Sequence, residues 1–190
     1  MISLIRIALG SAAAAAAGAS AYLGLVTGAV APDLGIGRRT RPLGPTVITI
    51  AAPREVVFDV IAQPYVGRRT RAMASKITIL AAGSDLVLAA HRTPIRGRLE
   101  AVTVETVHLQ RPSQVDFRLV RGPVPHVVET FDLQVVAGGT QLAYTGELGT
   151  DLWAIGARWG DLVAARWEAA VAETLGAVRV EAERRASNRR

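Results

Sequence analysis

The sequence contains no cysteine, only one lysine (Lys76) and 5% aromatic residues. The lack of cysteine excludes a disulfide framework, a thiolate nucleophile, a CxxC redox pair and a zinc ribbon. The few aromatic residues, together with the lack of a reading helix or zinc module, argue against nucleic acid as a partner. The sequence also lacks a GxSxG, Walker or GxGxxG pattern and a Ser-His-Asp order, so no familiar enzyme class is indicated.

Three histidines, His91, His108 and His126, are the residues that titrate near neutral pH. No two of them have a recognised metal-binding spacing, so we expect no metal and no other cofactor. Half of the 190 residues are hydrophobic and a fifth are charged, with a net charge of +6. This composition is typical of one globular domain with an appendage rather than of a disordered chain.

A long uncharged run lies near the N-terminus. No charged residue occurs from Ile7 to Ala31, and about 20 apolar residues suffice for a helix to cross a bilayer core. We therefore predict an N-terminal transmembrane anchor over residues 1–31, the alternative being a signal-like segment, uncleaved or cleaved. Small residues along this helix leave open a homodimer or a membrane-protein partner.

Basic residues determine the predicted orientation of the anchor. Arg38, Arg39 and Arg41 follow the uncharged run, whereas only Arg6 precedes it. Because arginine accumulates on the cytoplasmic side of a membrane helix, the sequence predicts a single-pass protein of the cell membrane with a cytoplasmic C-terminal domain. The same three arginines are candidates for contact with anionic lipid headgroups at the membrane surface.

Composition divides the rest of the chain. Prolines and glycines are interspersed over residues 32–45, which predicts a Pro/Gly/Arg linker without a regular element. The domain is expected over 46–186, and 187–190 form a basic tail.

A period-two pattern dominates the first part of this domain. Val115, Phe117 and Leu119 alternate with polar residues, and Phe131 and Leu133 do the same, as in a sheet with one apolar and one wet face. Short turns between the segments favour antiparallel hairpins. The predicted strands are Thr46–Ile50, Ile77–Leu80, Leu86–His91, Arg98–Leu109, Val115–Val120, Val127–Val136 and Gln141–Leu148.

A helical pattern closes the chain. No proline occurs from Asp161, a predicted N-cap, to Arg185. Apolar residues recur at helical spacing along this stretch and form one stripe: Trp159, Val163, Trp167, Ala170, Val171, Thr174 and Val178. The sequence therefore predicts an α+β domain in which one long helix covers the apolar face of the sheet.

Two segments carry a resemblance to a known family. The stretch VITIAAPREVVFDVI from Val47 to Ile61 resembles the opening strand, Ala-Pro break and helix of the START-like (SRPBCC) superfamily, in its polyketide cyclase/dehydrase and lipid-transport subfamily. The segment WEAAV from Trp167 to Val171 is similar to the closing helix of that family. The resemblance, which covers about residues 46–185, implies a helix-grip fold: a curved seven-stranded antiparallel sheet wrapped around a long C-terminal helix, with a cavity between them.

Strand parity identifies the polar candidates for such a cavity. Glu129 shares the parity of Phe131 and is expected to point inward, where burial would raise the pKa of its carboxyl group. Tyr144 shares the parity of Leu142 and would offer a hydroxyl group. The full set of predicted ligand-binding residues is Phe117, Glu129, Phe131, Tyr144, Val163, Trp167 and Val171.

These expectations combine into three functional hypotheses. The first is a membrane-anchored protein that binds a lipid or another hydrophobic small molecule between sheet and helix, mainly by apolar burial. The second is a polyketide cyclase/dehydratase-like enzyme, which a convergent acid/base pair inside the cavity would favour. The third is an accessory or assembly subunit of a larger membrane complex. The sequence assigns no catalytic residue, so catalysis is left open.

Overall fold

The computed structural model describes residues 16–30 and 33–188, which form seven strands and four helices. The strands are β1 (Arg39–Ile50), β2 (Ile77–Ala82), β3 (Leu86–Arg96), β4 (Leu99–Gln110), β5 (Gln114–Arg121), β6 (His126–Val136) and β7 (Gly139–Thr150). The helices are α1 (16–26), α2 (Arg54–Val66), α3 (Arg71–Lys76) and α4 (Trp153–Ser187).

The seven strands form a single antiparallel sheet in the order β1-β7-β6-β5-β4-β3-β2. Strands β2 to β7 follow one another as hairpins, and β1 closes the order by pairing with β7. The predicted alternation holds: Val115 on β5 and Leu133 on β6 are buried, each next to a more exposed polar neighbour. The predicted helix-grip architecture, a seven-stranded antiparallel sheet with a long C-terminal helix, is confirmed.

Strand β1 begins at Arg39, seven residues before its predicted start at Thr46, and therefore occupies half of the predicted linker. Pro42 and Pro45 are tolerated because β1 is an edge strand that pairs only with β7, and the register shifts between Leu43 and Thr46. Proline lacks an N–H for the ladder and is confined to such edges and bulges. The prediction that 32–45 contain no regular element is wrong for residues 39–45.

Helix α4 begins at Trp153, eight residues before the predicted N-cap at Asp161. Glycine is a poor helix former, but at Gly156 the lack of a Cβ is required, because a Cβ there would lie 1.5 Å from the carbonyl oxygen of Asp151. Backbone hydrogen bonds from Leu152 and Trp153 to residues 36 and 37, both 2.9 Å, hold the start of the helix. Tertiary contact thus extends the helix beyond the local signal.

Helix α4 covers one half of the sheet. It packs chiefly against β1, β7 and α2, and Leu175 is fully buried in this contact. Trp159, Val163 and Trp167 lie on the inward stripe of the preceding turns but are only half-buried. Phe117 on β5 points to the concave side of the sheet and is also half-buried. We call the half-open space between these three helix residues and β5–β6 the interior cleft.

The predicted membrane anchor lies only partly within the described residues, because residues 1–15 and 31 are outside them. The described part of α1 has 11 residues, which is about 16 Å of helix against a hydrocarbon core of about 30 Å. Within residues 16–30 and 33–188 no helix is long and apolar enough to span a membrane. The predicted localisation, a single-pass protein of the cell membrane with a cytoplasmic domain, is therefore wrong.

Candidate functional site

Glu129 is the polar centre of the interior cleft. It lies on β6, where period-two alternation directs it to the concave side together with Phe131, and it is 8% exposed. Its Oε1 accepts a hydrogen bond of 2.7 Å from the hydroxyl of Tyr144 on β7 and another of 2.7 Å from Nε1 of Trp167 on α4. The structure therefore brings three of the predicted ligand-binding residues into one hydrogen-bonded group.

Burial dominates the ionisation of this carboxyl group. Loss of hydration raises the pKa of Glu129 to about 7, and the nearby charge of Glu105 acts in the same direction. The hydrogen bonds from Trp167 and Tyr144 and the charge of His91 oppose the shift but do not cancel it. A carboxyl group with a pKa near neutrality is able to donate or accept a proton at physiological pH.

A second polar group lies on the same side of the sheet. Nδ1 of His91 on β3 is 2.9 Å from Oε2 of Glu105 on β4, and Oε1 of Glu105 accepts a hydrogen bond of 2.6 Å from the hydroxyl of Thr103. On the other side of the imidazole ring, Nε2 is 3.2 Å from the hydroxyl of Tyr65 on α2. The result is a continuous chain of hydrogen bonds from α2 to β4.

The protonation of His91 depends on this carboxylate. Burial lowers the pKa of His91, but the charge of Glu105 and its hydrogen bond outweigh burial, so that the pKa is raised overall. In the neutral ring, an Nδ1–H that donates to Glu105 leaves Nε2 to accept from Tyr65. In the charged ring both nitrogens donate, and the Tyr65 oxygen becomes the acceptor.

Aromatic rings line the sheet side of the cleft. Tyr65, Phe117, Phe131 and Tyr144 form a consecutive series of edge-to-face contacts, with ring centroids 6.0, 5.3 and 5.7 Å apart. Such contacts add to the apolar burial of the rings. Phe117 is also the register partner of Glu129 on the neighbouring strand, so the acidic group lies directly beside an apolar surface.

The helix side of the cleft comes from α4. Val163, Trp167 and Val171 are half-buried and pack against the core. They lie four residues apart and thus on one face of the helix. Of the seven residues predicted to line the cavity, Glu129, Phe131 and Tyr144 are buried, and Phe117, Val163, Trp167 and Val171 are half-buried against the core.

One atom of the site has no partner. Only Oε1 of Glu129 is engaged by Tyr144 and Trp167, and Oε2 accepts no hydrogen bond from any described residue. Among the described residues, the one fully buried side-chain polar atom without a partner is Nε of Arg54. Oε2 of Glu129 is not among the fully buried atoms without a partner.

Two concave surface sites lie in other parts of the described chain. A surface groove of about 430 Å³ borders the outer side of α2, and a pocket of about 50 Å³ borders the start of β1. Neither is lined by Glu129, Glu105 or His91. Both sites therefore lie outside the interior cleft.

The arginines predicted to contact lipid headgroups have partners within the protein. Arg38 pairs with Asp33 at 2.5 Å and with Asp151 at 2.7 Å, and Arg41 pairs with Asp161 at 2.9 Å. Arg39 is exposed at the first position of β1. The structure thus places Arg38 and Arg41 in intramolecular ion pairs.

The sequence prediction missed Tyr65, His91, Thr103 and Glu105. Parity offered one signal, because Glu105 lies two residues from Val107 on the buried face of β4, where a carboxylate is unexpected. It offered no signal for the pairing of that carboxylate with His91, which depends on the register of β3 against β4: Ala89 opposes Glu105 and His91 opposes Thr103.

Fold and site together define a helix-grip protein with a buried acidic group in an aromatic cleft. No protein-family model matches this chain, and no curated protein matches it either. Solved structures of other proteins do match this chain. The chain is similar to the ZhuI aromatase/cyclase from Streptomyces sp. R1128, with a TM-score of 0.63 and 20% identity over 78% of this chain and 95% of that one.

Two larger proteins contain a similar fold. The di-domain aromatase/cyclase BexL from the BE-7585A biosynthetic pathway matches with a TM-score of 0.56 and 13% identity, over 79% of this chain and 50% of that one. The di-domain aromatase/cyclase StfQ from the steffimycin biosynthetic pathway matches with a TM-score of 0.57 and 12% identity, over 80% of this chain and 52% of that one. The chain spans about half of each di-domain protein. At these identities the comparisons establish the helix-grip fold that these aromatase/cyclases share.

Proposed function

We propose that this protein binds a hydrophobic small molecule in the interior cleft, with Glu129 as its polar contact. The observation that carries the proposal is the half-engaged carboxyl group of Glu129. Tyr144 and Trp167 hold Oε1 in a fixed position, and Oε2 is left open beside the ring of Phe117. A mostly apolar site with a few oriented polar groups is the usual form of a small-molecule site.

The chemistry of Glu129 defines the kind of ligand. Because the pKa of this carboxyl group is about 7, the protonated form donates a hydrogen bond to a carbonyl oxygen, and the ionised form accepts one from a hydroxyl group. Apolar burial would supply most of the affinity, at about 25 cal/mol per Å² of ligand surface. The protein is thus suited to a largely apolar, ring-containing molecule with a carbonyl or hydroxyl group.

The test uses Nile red, a neutral apolar dye with one carbonyl group and no ionisable acid. We expect its fluorescence to rise on binding to the full chain, with about tenfold tighter binding at pH 6 than at pH 8, since a hydrogen bond to the protonated acid is worth about 1–2 kcal/mol. Glu129→Gln, which always carries a donor, should bind equally at both pH values. Glu147→Gln, a change to an exposed carboxylate on β7, is the matched control and should behave as the wild type.

Absence of saturable binding, or equal pH dependence in Glu129→Gln and the wild type, would contradict this proposal. Mass spectrometry of molecules extracted from the purified protein would then identify the natural ligand class.

A second function, acid/base catalysis of a cyclisation, is favoured by the electrostatic proximity of Glu129 to the His91–Glu105 pair. In a linear poly-β-ketone, a base removes a proton from the carbon between two carbonyls, and the enolate forms a C–C bond to another carbonyl. An acid protonates the resulting alkoxide, and loss of that hydroxyl group with a proton from the adjacent carbon, as water, leaves a C=C bond in the ring. The structurally similar ZhuI and BexL are aromatase/cyclases by name, which supports this candidate.

A linear poly-β-ketone thioester incubated with the protein tests the second candidate. We expect a dehydrated, cyclised product by mass spectrometry, formed about a hundredfold more slowly by Glu129→Gln, since a positioned acid or base contributes that much or more. If the wild type and Glu129→Gln give product at the uncatalysed rate, the protein binds its ligand without turning it over.

A further inference from the structure

The segment that follows α1 is docked on the domain. The backbone N–H of Val102 on β4 donates to the carbonyl oxygen of Thr27 at 3.0 Å, and Arg121 at the end of β5 donates from its guanidinium group to the carbonyl oxygen of Ala29 at 2.8 Å. Earlier in the chain, within α1, the ring of Tyr22 packs edge-to-face on Trp159, with centroids 6.3 Å apart. We call residues 22–29 the N-terminal strap.

Gly28 is the residue that permits this contact. It is buried, with a φ of +71°, and a Cβ at this position would lie 2.4 Å from the carbonyl oxygen of Val102 and 3.5 Å from Cα of Gly122. Any side chain would therefore collide with backbone atoms in a conformation that already disfavours L residues. The strap approaches β4 backbone to backbone, at a distance that only glycine allows.

The contact points of the strap surround one end of the interior cleft. Val102 immediately precedes Thr103, the residue that donates to Glu105. Trp159 lies two turns before Trp167 on the same stripe of α4, about 12 Å along the helix, and donates from its indole N–H to the carbonyl oxygen of Pro123 at 2.8 Å. The strap therefore runs from α4 to β4, past the β5–β6 connection.

Few contacts hold the strap in place. Tyr22 and Leu23 are 58% and 43% exposed, and residues 24–27 are only half-buried. Among the described residues, one backbone–backbone hydrogen bond and one from the Arg121 side chain join the strap to the sheet. A segment with little apolar burial and exposed hydrogen bonds opens at low cost compared with the core. Such a segment is able to close a site most of the time and still release it often.

We propose that the N-terminal strap is a gate over the interior cleft, which closes the end between Trp159 and Val102 and must undock for a hydrophobic ligand to pass. This inference rests on the ligand-binding function proposed above. The hydrogen bonds and the ring contact of the strap go to Val102, Arg121 and Trp159 rather than to Glu129, Glu105 or His91. The strap therefore slows association and dissociation to a similar extent and leaves the dissociation constant nearly unchanged.

Gly28→Ala in the full chain tests the gate. Gly138→Ala is a matched control, because Gly138 has a φ of +85° with no atom near its added Cβ and lies in the β6–β7 turn. Both variants carry the same kind of backbone strain, but only the first displaces the strap. By stopped flow with Nile red, we expect Gly28→Ala to raise both rate constants about tenfold with less than about a threefold change in Kd. Gly138→Ala should leave both rates unchanged.

Hydrogen exchange at the Val102 amide gives a readout that needs no ligand. Since this amide donates to Thr27 in the strap, undocking should accelerate its exchange by about tenfold or more in Gly28→Ala, and Arg121→Ala should produce a smaller acceleration. Unchanged exchange at Val102, or faster exchange with unchanged Nile red rates, overturns the gate. Failure of every chain to bind Nile red instead overturns the ligand-binding function.

Discussion

The indole N–H of Trp167 donates to Oε1 of Glu129 at 2.7 Å, which joins the middle of α4 to the sixth strand of the sheet. The two residues are 38 positions apart. Because this hydrogen bond favours the ionised carboxyl group, the position of the last helix partly determines the acidity of the central group in the cleft.

Removal of the indole donor should make Glu129 a weaker acid. In Trp167→Phe an aromatic ring remains but the hydrogen bond is lost, so we expect the pKa of Glu129 to rise above its value of about 7. Titration of the carboxyl carbon by NMR measures this shift. Trp153→Phe, a change at an indole that is 57% exposed, should leave the pKa of Glu129 unchanged; a shift in that control or none in Trp167→Phe would contradict the prediction.

Truncation of Trp167 should cost less than truncation of a core residue of similar size. Aromatic residues in packed cores lose about 3–5 kcal/mol on mutation to alanine, whereas Trp167 is half-buried beside the cleft. We expect Trp167→Ala to lower the free energy of unfolding by about 2–3 kcal/mol, measured by denaturant unfolding, because fewer neighbours lose contacts than in a packed core. Leu175→Ala, at a residue 2% exposed on the same helix, is the comparison. A loss of about 4 kcal/mol or more for Trp167→Ala would lie within the packed-core range. That result would show that Trp167 plugs a filled interior.

Stability should fall as the pH rises from about 4.5 to about 7. The pKa of Glu129 is raised from 4.5 to about 7 in the folded chain, so between these values the folded state retains a proton that the unfolded state releases. The raised pKa of His91 contributes in the same direction, since its bound proton is lost as the pH passes through the folded pKa. We expect an effect on the order of 2–3 kcal/mol from Glu129.

Glu129→Gln isolates this contribution, since the amide has no proton to release. Its free energy of unfolding should change less than that of the wild type across this pH range, as measured by denaturant unfolding at several pH values. Glu147→Gln should retain the wild-type slope. Identical slopes in all three proteins would refute the burial-driven shift at Glu129.

Loss of its carboxylate partner should lower the pKa of His91. Burial alone depresses this pKa, and the charge and hydrogen bond of Glu105 reverse the direction. In Glu105→Gln burial is opposed only by the weaker influence of the Glu129 charge, so we expect the pKa of His91 to fall, observed through the ring proton signals by NMR. Asp85→Asn, which removes an exposed carboxylate 3.3 Å from His108, should not affect His91. An unchanged His91 titration in Glu105→Gln would mean that the pair does not form.

Asp151 should contribute more to stability than its exposed counterpart Asp161. Its carboxylate is 4% exposed and accepts from the backbone N–H groups of Leu34 and Gly35 at 2.7 and 2.8 Å and from Nε of Arg38 at 2.7 Å. We expect Asp151→Asn to cost about 2–4 kcal/mol, because three donors lose a buried, charged acceptor. Asp161→Asn, at a carboxylate 66% exposed, should cost about 1 kcal/mol or less.

The stability of the protein at acid pH gives a second test of the role of Asp151. Arg38 and the two backbone donors hold the pKa of Asp151 at about 2, so its contribution is present above about pH 4 and is lost as the pH falls towards 2. In Asp151→Asn this acid-sensitive part should disappear. Equal unfolding costs for the two asparagine variants would contradict the role assigned to Asp151.

Strand β5 and helix α4 show how far local pattern determines this fold. Alternation of Val115, Phe117 and Leu119 with polar residues predicts which side of β5 faces the core, since successive strand residues point to opposite faces whatever their partner. The same parity directs Glu129 inward on β6, whichever strands lie beside it. The spacing of Trp159, Val163 and Trp167 likewise predicts the inward stripe of the last helix, although the helix begins eight residues before its predicted start.

What lies across from each of these residues depended on the tertiary structure. His91 reaches Glu105 diagonally, and Trp167 reaches Glu129, only because strand register and the rotation of α4 are determined by the packing of the whole sheet. The prolines of β1 are tolerated by an edge position that no local pattern reports, and Gly28 acquires its role from the backbone of Val102, 74 positions away. Period and burial direction follow from backbone geometry within a few residues, whereas pairing distant polar groups in one cleft requires the complete fold.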